Sequence, residues 1–484
     1  MSYSVWLTVL LLIAAFNSPL PLTPAPQAAE GNTVAQAAAE ASGYWLGSFS
    51  EEAVGRYDTS ALRTGDANLT TVSVSPSGKY IAAVDRTSMS LEKRHAAGVG
   101  NPMGRLPEAI CLFVRQGNVY SLDRTIPVDG ETQLELSSIL GGGAAMAWNG
   151  DETRCVISYQ WGAGSETNAY INNFHSNLYL LDLSDGSLRR LTDNSEACEH
   201  CVLPAWSGPD TVRYVRLSNR GGFLNVLCEI DLNTGRETKL ADLYSAGGSI
   251  SVVYAWQAVG ERIYYIVDAY TGGTGFYVSP FGGREVNARC LVNLMKELRE
   301  TNRHPYCKTF SQMEISDDGR WACLTVTDQR VFTRDFPTAD NPKNPQSDPA
   351  HAISVMTGRP WVPCHNVLLY DLSRMSLVDP FRDSALAPAK AVVTGACLAP
   401  DGQSMLCAVY GDRRPWSIAE ETRTTFYQID LGDGRFTANR VFETELASSL
   451  WFPEGIRWTA DNCLHIPTGK APANPVQILN LGGR

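Results

Sequence analysis

Twelve cysteines and seven histidines are the residues of this 484-residue chain best suited to chemistry. One local arrangement of them has ligand-like spacing. Cys198-Glu199-His200-Cys201 sets two thiols and an imidazole at the C-x-x-C interval that suits zinc. No second ligand pair follows at an interval that would complete a tetrahedral site, so no metal is assigned there. His175, His304, His351 and His365 fall in long connecting segments. If they met at one point they could bind a metal or serve acid–base catalysis. The chain has no G-x-S-x-G nucleophile turn and no GxxxxGK[ST] phosphate loop. Catalytic residues and a cofactor are therefore not assigned.

Two other clusters suit recognition rather than catalysis. The segment 327–365 carries Phe332, Arg334, Asp335, His351, Arg359, Trp361 and His365, and the segment 410–416 carries Asp412, Arg413, Arg414 and Trp416. Arginine and aromatic side chains are typical interface anchors, and a guanidinium grips a carboxylate with two parallel hydrogen bonds. The candidate binding residues are Arg334, Asp335, Arg359, Trp361, His365, Asp412, Arg413, Arg414 and Trp416.

A net charge of -11 argues against tracking phosphates, so nucleic acid is set aside as a partner. The apolar run 5–16 and the A-x-A at 35–37 read as a secretory signal, with cleavage near Ala29 equally consistent. Twelve apolar residues fall short of the roughly 20 that a spanning helix needs. Residues 1–37 are thus expected to be signal and linker, 38–69 an N-terminal extension and 70–484 the folded unit. The product is expected to be secreted or periplasmic, without a stable membrane span.

An oxidising compartment raises the question of disulfides. Cys111, Cys155, Cys228, Cys323, Cys397, Cys407 and Cys463 sit in apolar strand patterns and read as small buried hydrophobes. Cys198, Cys201, Cys290, Cys307 and Cys364 are expected to fall in polar loops, where bridging is feasible. The preferred pair is Cys290 with Cys307, which flank the helix-like LVNLMKELRE.

The elements that must position these residues come from a repeat. A short apolar strand, a tight polar turn and a second apolar strand recur seven times, beginning at Val72, Met146, Pro204, Tyr254, Met313, Ala396 and Ile456. In most copies a second hairpin follows, clearest in SNLYLLDLSDGSLRRLTDN from Ser176, with weaker copies at GNVYSLDR and TGFYVSPFGGREV. Seven two-hairpin units predict an all-β fold, a seven-bladed β-propeller of four-stranded antiparallel blades. The last unit lacks its outermost strand, which a segment before Thr70, in the region 57–63, is expected to supply.

The stretches 75–79, 190–193, 204–207 and 399–402 resemble the TolB-like (WD40-like) propeller repeat, whose usual form is W-S-P-D-G-K followed by an apolar strand and, later, a Gly turn and Leu-Thr. The likeness covers about residues 70–481 and implies a scaffold role near the cell envelope. In such blades the hairpin turns share one face, and every long segment here belongs to the other. The expected function is binding of a protein or peptide partner through that loop-rich face, without catalysis. The alternative is a propeller enzyme, a polysaccharide lyase or hydrolase, using histidines and carboxylates at the channel mouth.

Overall fold

The computed structural model describes residues 44, 46, 54–63, 69–85, 109–127, 146–161, 175–194, 199–218, 224–244, 251–269, 275–293, 307–328, 367–378, 392–410, 421–432, 436, 438–447, 456–467 and 476–482. Among them the regular elements are strands joined by turns, with two 3-10 turns at Ser60–Arg63 and Glu285–Asn287.

A short strand β1 (Gly55–Arg56) comes first. Then β2 (Leu69–Val74), β3 (Tyr80–Asp85), β4 (Ala109–Gln116) and β5 (Val119–Pro127) form an antiparallel meander. Two further meanders follow, β6 (Met146–Trp148), β7 (Arg154–Trp161), β8 (His175–Asp182) and β9 (Leu188–Arg190), then β10 (Glu199–Gly208), β11 (Thr211–Ser218), β12 (Leu224–Asp231) and β13 (Glu237–Leu243). A single parallel pair, His200 with Ser176, merges these two into one eight-stranded sheet.

The fourth meander is β14 (Ser251–Val259), β15 (Arg262–Ala269), β16 (Gly275–Pro280) and β17 (Arg289–Asn293). Next come β18 (Cys307–Ile315), β19 (Trp321–Asp328), β20 (Val367–Asp371) and β21 (Ser376–Val378), then β22 (Val392–Leu398), β23 (Ser404–Tyr410), β24 (Glu421–Asp430) and β25 (Ala438–Ala447). The last sheet takes β26 (Arg457–Trp458), β27 (Cys463–Pro467) and β28 (Val476–Asn480), and β1 pairs with β28 as its fourth strand.

The sequence repeat and the first hairpin of each meander coincide. The seventh residue of six copies, namely Gly78, Glu152, Gly260, Gly319, Gly402 and Asn462, has φ between 57° and 69°. That left-handed conformation favours glycine or asparagine. At Gly319 a Cβ would also lie 2.9 Å from Val259 Cγ1 of the preceding turn, so backbone and packing both demand glycine.

Two local expectations are corrected. GNVYSLDR supplies the fourth strand of its meander, β5, because AICLFVRQ occupies the third place as β4. The first three residues of the helix-like LVNLMKELRE fall in β17, where Val292 is buried opposite Phe276, and residues 294–300 lie outside the described residues.

The core is divided among the contacts between successive meanders. Ile110 and Leu112 pack with Trp148 and Ile157, Val156 and Leu180 with Val212 and Tyr214, and Val215 and Leu227 with Ile263 and Tyr265. Farther on, Ile266 and Phe276 pack with Leu324, Cys323 and Leu369 with Met405, and Phe426 and Phe442 with Trp458 and Leu464. A last cluster joins Cys463, Val476 and Ile478 of the final sheet to Ile81, Phe113 and Tyr120 of the first. The sheets therefore close on themselves.

Closure is completed through the backbone. Gly55 and Arg56 pair with Asn480 and Leu479, and the Tyr57 N–H donates to the Ile478 carbonyl at 3.1 Å. The chain then crosses to the first sheet, where the Asp58 N–H donates to Asn118 O at 2.7 Å and the Tyr120 N–H to Asp58 O at 2.9 Å. The closing strand thus lies just before the region 57–63.

Strands β2, β6, β14, β18, β22 and β26 each end a sheet, and β10 meets β8 through one parallel pair only, so each leaves backbone groups unpaired within its sheet. Side chains from neighbouring sheets fill several of these places. Trp206 Nε1 donates to Ala147 O and Trp256 Nε1 to Leu203 O, both at 2.9 Å, while Trp148 Nε1 donates at 3.1 Å to the side-chain hydroxyl of Ser73. Gln257 accepts the Ile315 N–H at 3.0 Å and donates to the Ile315 carbonyl at 3.2 Å, and Glu314 accepts the Leu398 N–H at 2.8 Å.

Replacing Gln257 with Leu strands both backbone groups of Ile315. The expected loss is about 1–3 kcal/mol in chemical denaturation with an unchanged far-UV spectrum. A loss within the error of the measurement would show that the clamp contributes nothing.

Candidate functional site

The two ends of the sheets differ in chain length. Hairpin turns at one end join strands such as Gln116 to Val119 and Gly208 to Thr211, whereas the segments at the other end run from Asp85 to Ala109 and from Asp328 to Val367. Arg334, Asp335, Arg359, Trp361, His365, Asp412, Arg413, Arg414 and Trp416 lie outside the described residues. His304 and His351, and the side chains of His175 and Cys307, lie outside them too.

At Cys198-Glu199-His200-Cys201 the structure describes the last three residues. Cys201 is placed in β10, fully buried, and not in a polar loop. Its sulfur accepts a hydrogen bond from Asn194 Nδ2 at 3.0 Å, and its carbonyl accepts from Ser158 and Ser176 at 2.7 and 3.3 Å. Burial pushes its thiol pKa up, away from the thiolate a metal needs. Cys111, Cys155, Cys228, Cys323, Cys397, Cys407 and Cys463 are buried as small apolar residues, and Cys290 is exposed on β17.

Toward the tight-turn end the described residues hold a connected group of ionisable side chains that includes two strongly shifted ones. Glu314 stands at the end of β18, its carboxyl buried against Leu398. Burial raises its pKa to about 7, opposed by the Leu398 N–H and Arg457 and aided by Asp317. Arg457 is exposed on β26 opposite His465 of β27. His465 is buried, and burial, with Arg457 and Arg115 adding to it and Asp461 opposing, lowers its pKa to about 4. It is neutral at physiological pH.

The seam between last and first sheets continues this group. Arg115 Nη1 lies 3.6 Å from Asp461 Oδ2, and its guanidinium sits 5.1 Å above the Tyr57 ring. Both Arg115 Nη1 and His465 Nε2 are buried without a hydrogen-bond partner among the described residues. They face Gly78, where a Cβ would approach them to 3.3 and 3.5 Å and where the backbone has φ 65°. The cluster forms a polar weld with one neutral imidazole and one carboxyl that titrates near neutrality.

Sequence reasoning passed over Glu314, Arg457, His465 and Arg115, although a signal for two of them existed. At the second residue of each repeat copy the chain has Ser73, Ala147, Ala205, Ala255 and Cys397, but Glu314 and Arg457 in the other two. Two charged residues among small ones mark a departure from the repeat's structural rule. His465 and Arg115 carry no such mark.

No known family profile and no curated protein sequence matches this chain. Among solved structures it is similar to an oligogalacturonate lyase in complex with manganese, at 12% identity over 70% of this chain and 74% of that one, with a TM-score of 0.42. It is also similar to prolyl oligopeptidase B from Galerina marginata, at 9% identity, 81% and 45% coverage and a TM-score of 0.43. For TolB from Acinetobacter baumannii the values are 15%, 78%, 64% and 0.34. The chain spans less than half the length of the oligopeptidase. At these TM-scores the likenesses carry no argument about function.

The two shifted groups act on stability with opposite signs. The pKa of Glu314 is raised on folding from 4.5 to about 7, so its contribution is full below pH 4.5 and is lost as pH rises through about 7. His465 is lowered from 6.5 to about 4, so its contribution is full above pH 6.5 and is lost as pH falls through about 4. Glu314→Gln is therefore expected to gain stability relative to the natural chain between pH 5 and pH 8 in urea titrations. A difference that does not change with pH would contradict the placement of the Glu314 carboxyl.

Proposed function

We propose that the chain is an exported seven-bladed β-propeller that acts as a scaffold, binding a protein or peptide partner through its loop-rich end without chemistry of its own. One observation carries this reading. Successive meanders pack face to face around a closed ring, and the long connections leave from one end of it. Rigid sheets with long loops gathered at one end are a general arrangement for recognition. Arg334, Arg359, Trp361, Arg413, Arg414 and Trp416 supply the anchors on those loops, and Asp335, His365 and Asp412 the polar complement. The compartment is the periplasm or the exterior, in keeping with the N-terminal apolar run. No helix among the described residues is long and apolar enough to cross a membrane.

A second reading, a hydrolase or lyase, has Glu314 in its favour, since a carboxyl titrating near 7 beside Arg457 suits general acid–base work. The clamp on Leu398 gives the same carboxyl a structural task, and scaffold is the reading adopted.

Site-specific photocrosslinking in the native source separates the ends. A crosslinker replacing Trp361 is expected to capture a discrete partner, and one replacing Val286, 87% exposed on the turn between β16 and β17, is expected to capture none. Capture from Val286 alone would overturn the assignment of the loop-rich end. In the oxidising compartment Cys290 and Cys307 are proposed to form a disulfide. Peptide mapping without reduction should recover them as one linked pair, and two separately alkylated thiols would refute it.

A further inference from the structure

Two buried nitrogens on opposite sides of the ring's closing seam lack a hydrogen-bond partner among the described residues. They are Arg115 Nη1, on β4 of the first sheet, and His465 Nε2, on β27 of the last. Buried polar atoms are paired in all but a few cases, so two orphans side by side require a cause. The two converge. Each lies within 3.5 Å of the point where a Cβ on Gly78 would stand, and both therefore border the space beside the Gly78 Cα. His465 is only 4% exposed and is fixed in its sheet between Arg457 and Ile478.

The chemistry of the two atoms selects what they would share. A guanidinium only donates, and an imidazole Nε2 donates in one neutral tautomer and in the cation, so both can serve a single acceptor. The charges around them are unbalanced in the same sense. Arg115 faces one carboxylate, Asp461, at 3.6 Å, and that carboxylate also accepts the Thr459 hydroxyl at 2.5 Å. Arg457, directly across the sheet from His465, forms no ion pair among the described residues. Two guanidiniums against one carboxylate leave a positive charge to be balanced. The Tyr120 hydroxyl, 3.5 Å from the same point, donates to the Gly78 carbonyl and offers no third proton. Its oxygen and the Asp461 carboxylate weigh against an ion of more than one negative charge.

We propose that Arg115 and His465 form a site for one small monovalent anion of the halide class, which bridges the first and last sheets and ties the ring at its seam. The donors come from residues 350 positions apart, so the site exists in the closed ring and not in the unfolded chain. Such an ion stabilises the fold with the logarithm of its concentration above its dissociation constant. The site lies at the tight-turn end and is independent of the partner proposed for the loops.

Urea titrations of the full chain at neutral pH and fixed ionic strength test this, with chloride replacing gluconate up to about 0.5 M. At the top of that range the unfolding equilibrium constant is expected to be about tenfold lower than in gluconate, as for an anion at roughly ten times its dissociation constant. Bromide should substitute for chloride. Arg115→Gln and His465→Leu should each abolish the effect. Arg236→Gln, which removes an exposed guanidinium from the turn between β12 and β13, should retain it. Equal stability in chloride and gluconate overturns the proposal and leaves a water molecule as the shared acceptor. An effect that survives both Arg115→Gln and His465→Leu overturns it too. If those variants fail to fold, crystals of the natural chain grown in bromide decide: anomalous density within hydrogen-bond distance of both nitrogens is expected, and bromide found only elsewhere, or not at all, refutes the site.

Discussion

A ring of antiparallel sheets leaves each innermost strand with one unpaired edge, and satisfying those edges is the constraint on which this structure depends. Within a sheet every other strand has neighbours on both sides or faces outward to water. Here the chain answers with side chains from adjacent meanders. Trp206 and Trp256 reach back to the preceding strand edge and Trp148 to a serine hydroxyl on it, while Gln257 and Glu314 reach forward to the next. Each such bond orders two sheets at once, so the relative placement of the meanders is fixed by polar contacts as well as by the apolar clusters between their faces. Use of a carboxylate in this role has a chemical consequence. Glu314 must be desolvated to reach Leu398, and desolvation moves its pKa toward neutrality.

The same constraint explains why the ends of the sheets diverge. At one end the turns pack on one another: Glu152 accepts from the Ser77 hydroxyl at 2.6 Å, Arg154 pairs with Asp210 at 3.0 Å, and Gly402 brings its turn against Ser316 and Asp318. Little chain could be inserted there without breaking those contacts. The connections at the opposite end are the longer ones, as from Asp85 to Ala109 and from Asp328 to Val367. The N-terminal chain belongs to the crowded end, where β1 completes the last sheet and Tyr44 and Leu46 fill the neighbouring cleft.

What could be read from the sequence followed what repeats. The first hairpins were legible because apolar alternation and a left-handed turn residue recur in register, with Gly78, Gly260, Gly319 and Gly402 at the same place in their copies. The burial of Cys155, Cys323 and Cys407 followed from their place in the strand after each turn. Features that occur once were not legible. The bond from Gln428 to the Tyr44 carbonyl, the approach of His465 to Gly78 and the parallel pair between His200 and Ser176 join residues remote in sequence, and no local pattern announces them. At Val292 the helical composition of LVNLMKELRE gives way to a strand, where Phe276 lies across the sheet. The candidate binding residues on the loops were chosen for chemical type alone, and their placement is outside the described residues.

Closure of the ring by a strand borrowed from the N-terminal side is the central claim, and native-state amide exchange of the intact chain tests it most directly. Backbone amides of β28 should exchange as slowly as those of β15 in the middle of a sheet, because β28 then lies between β27 and β1 and opens only when the ring opens. Exchange of the β28 amides orders of magnitude faster than those of β15, under conditions where β27 stays protected, would show an unpaired edge and contradict the account.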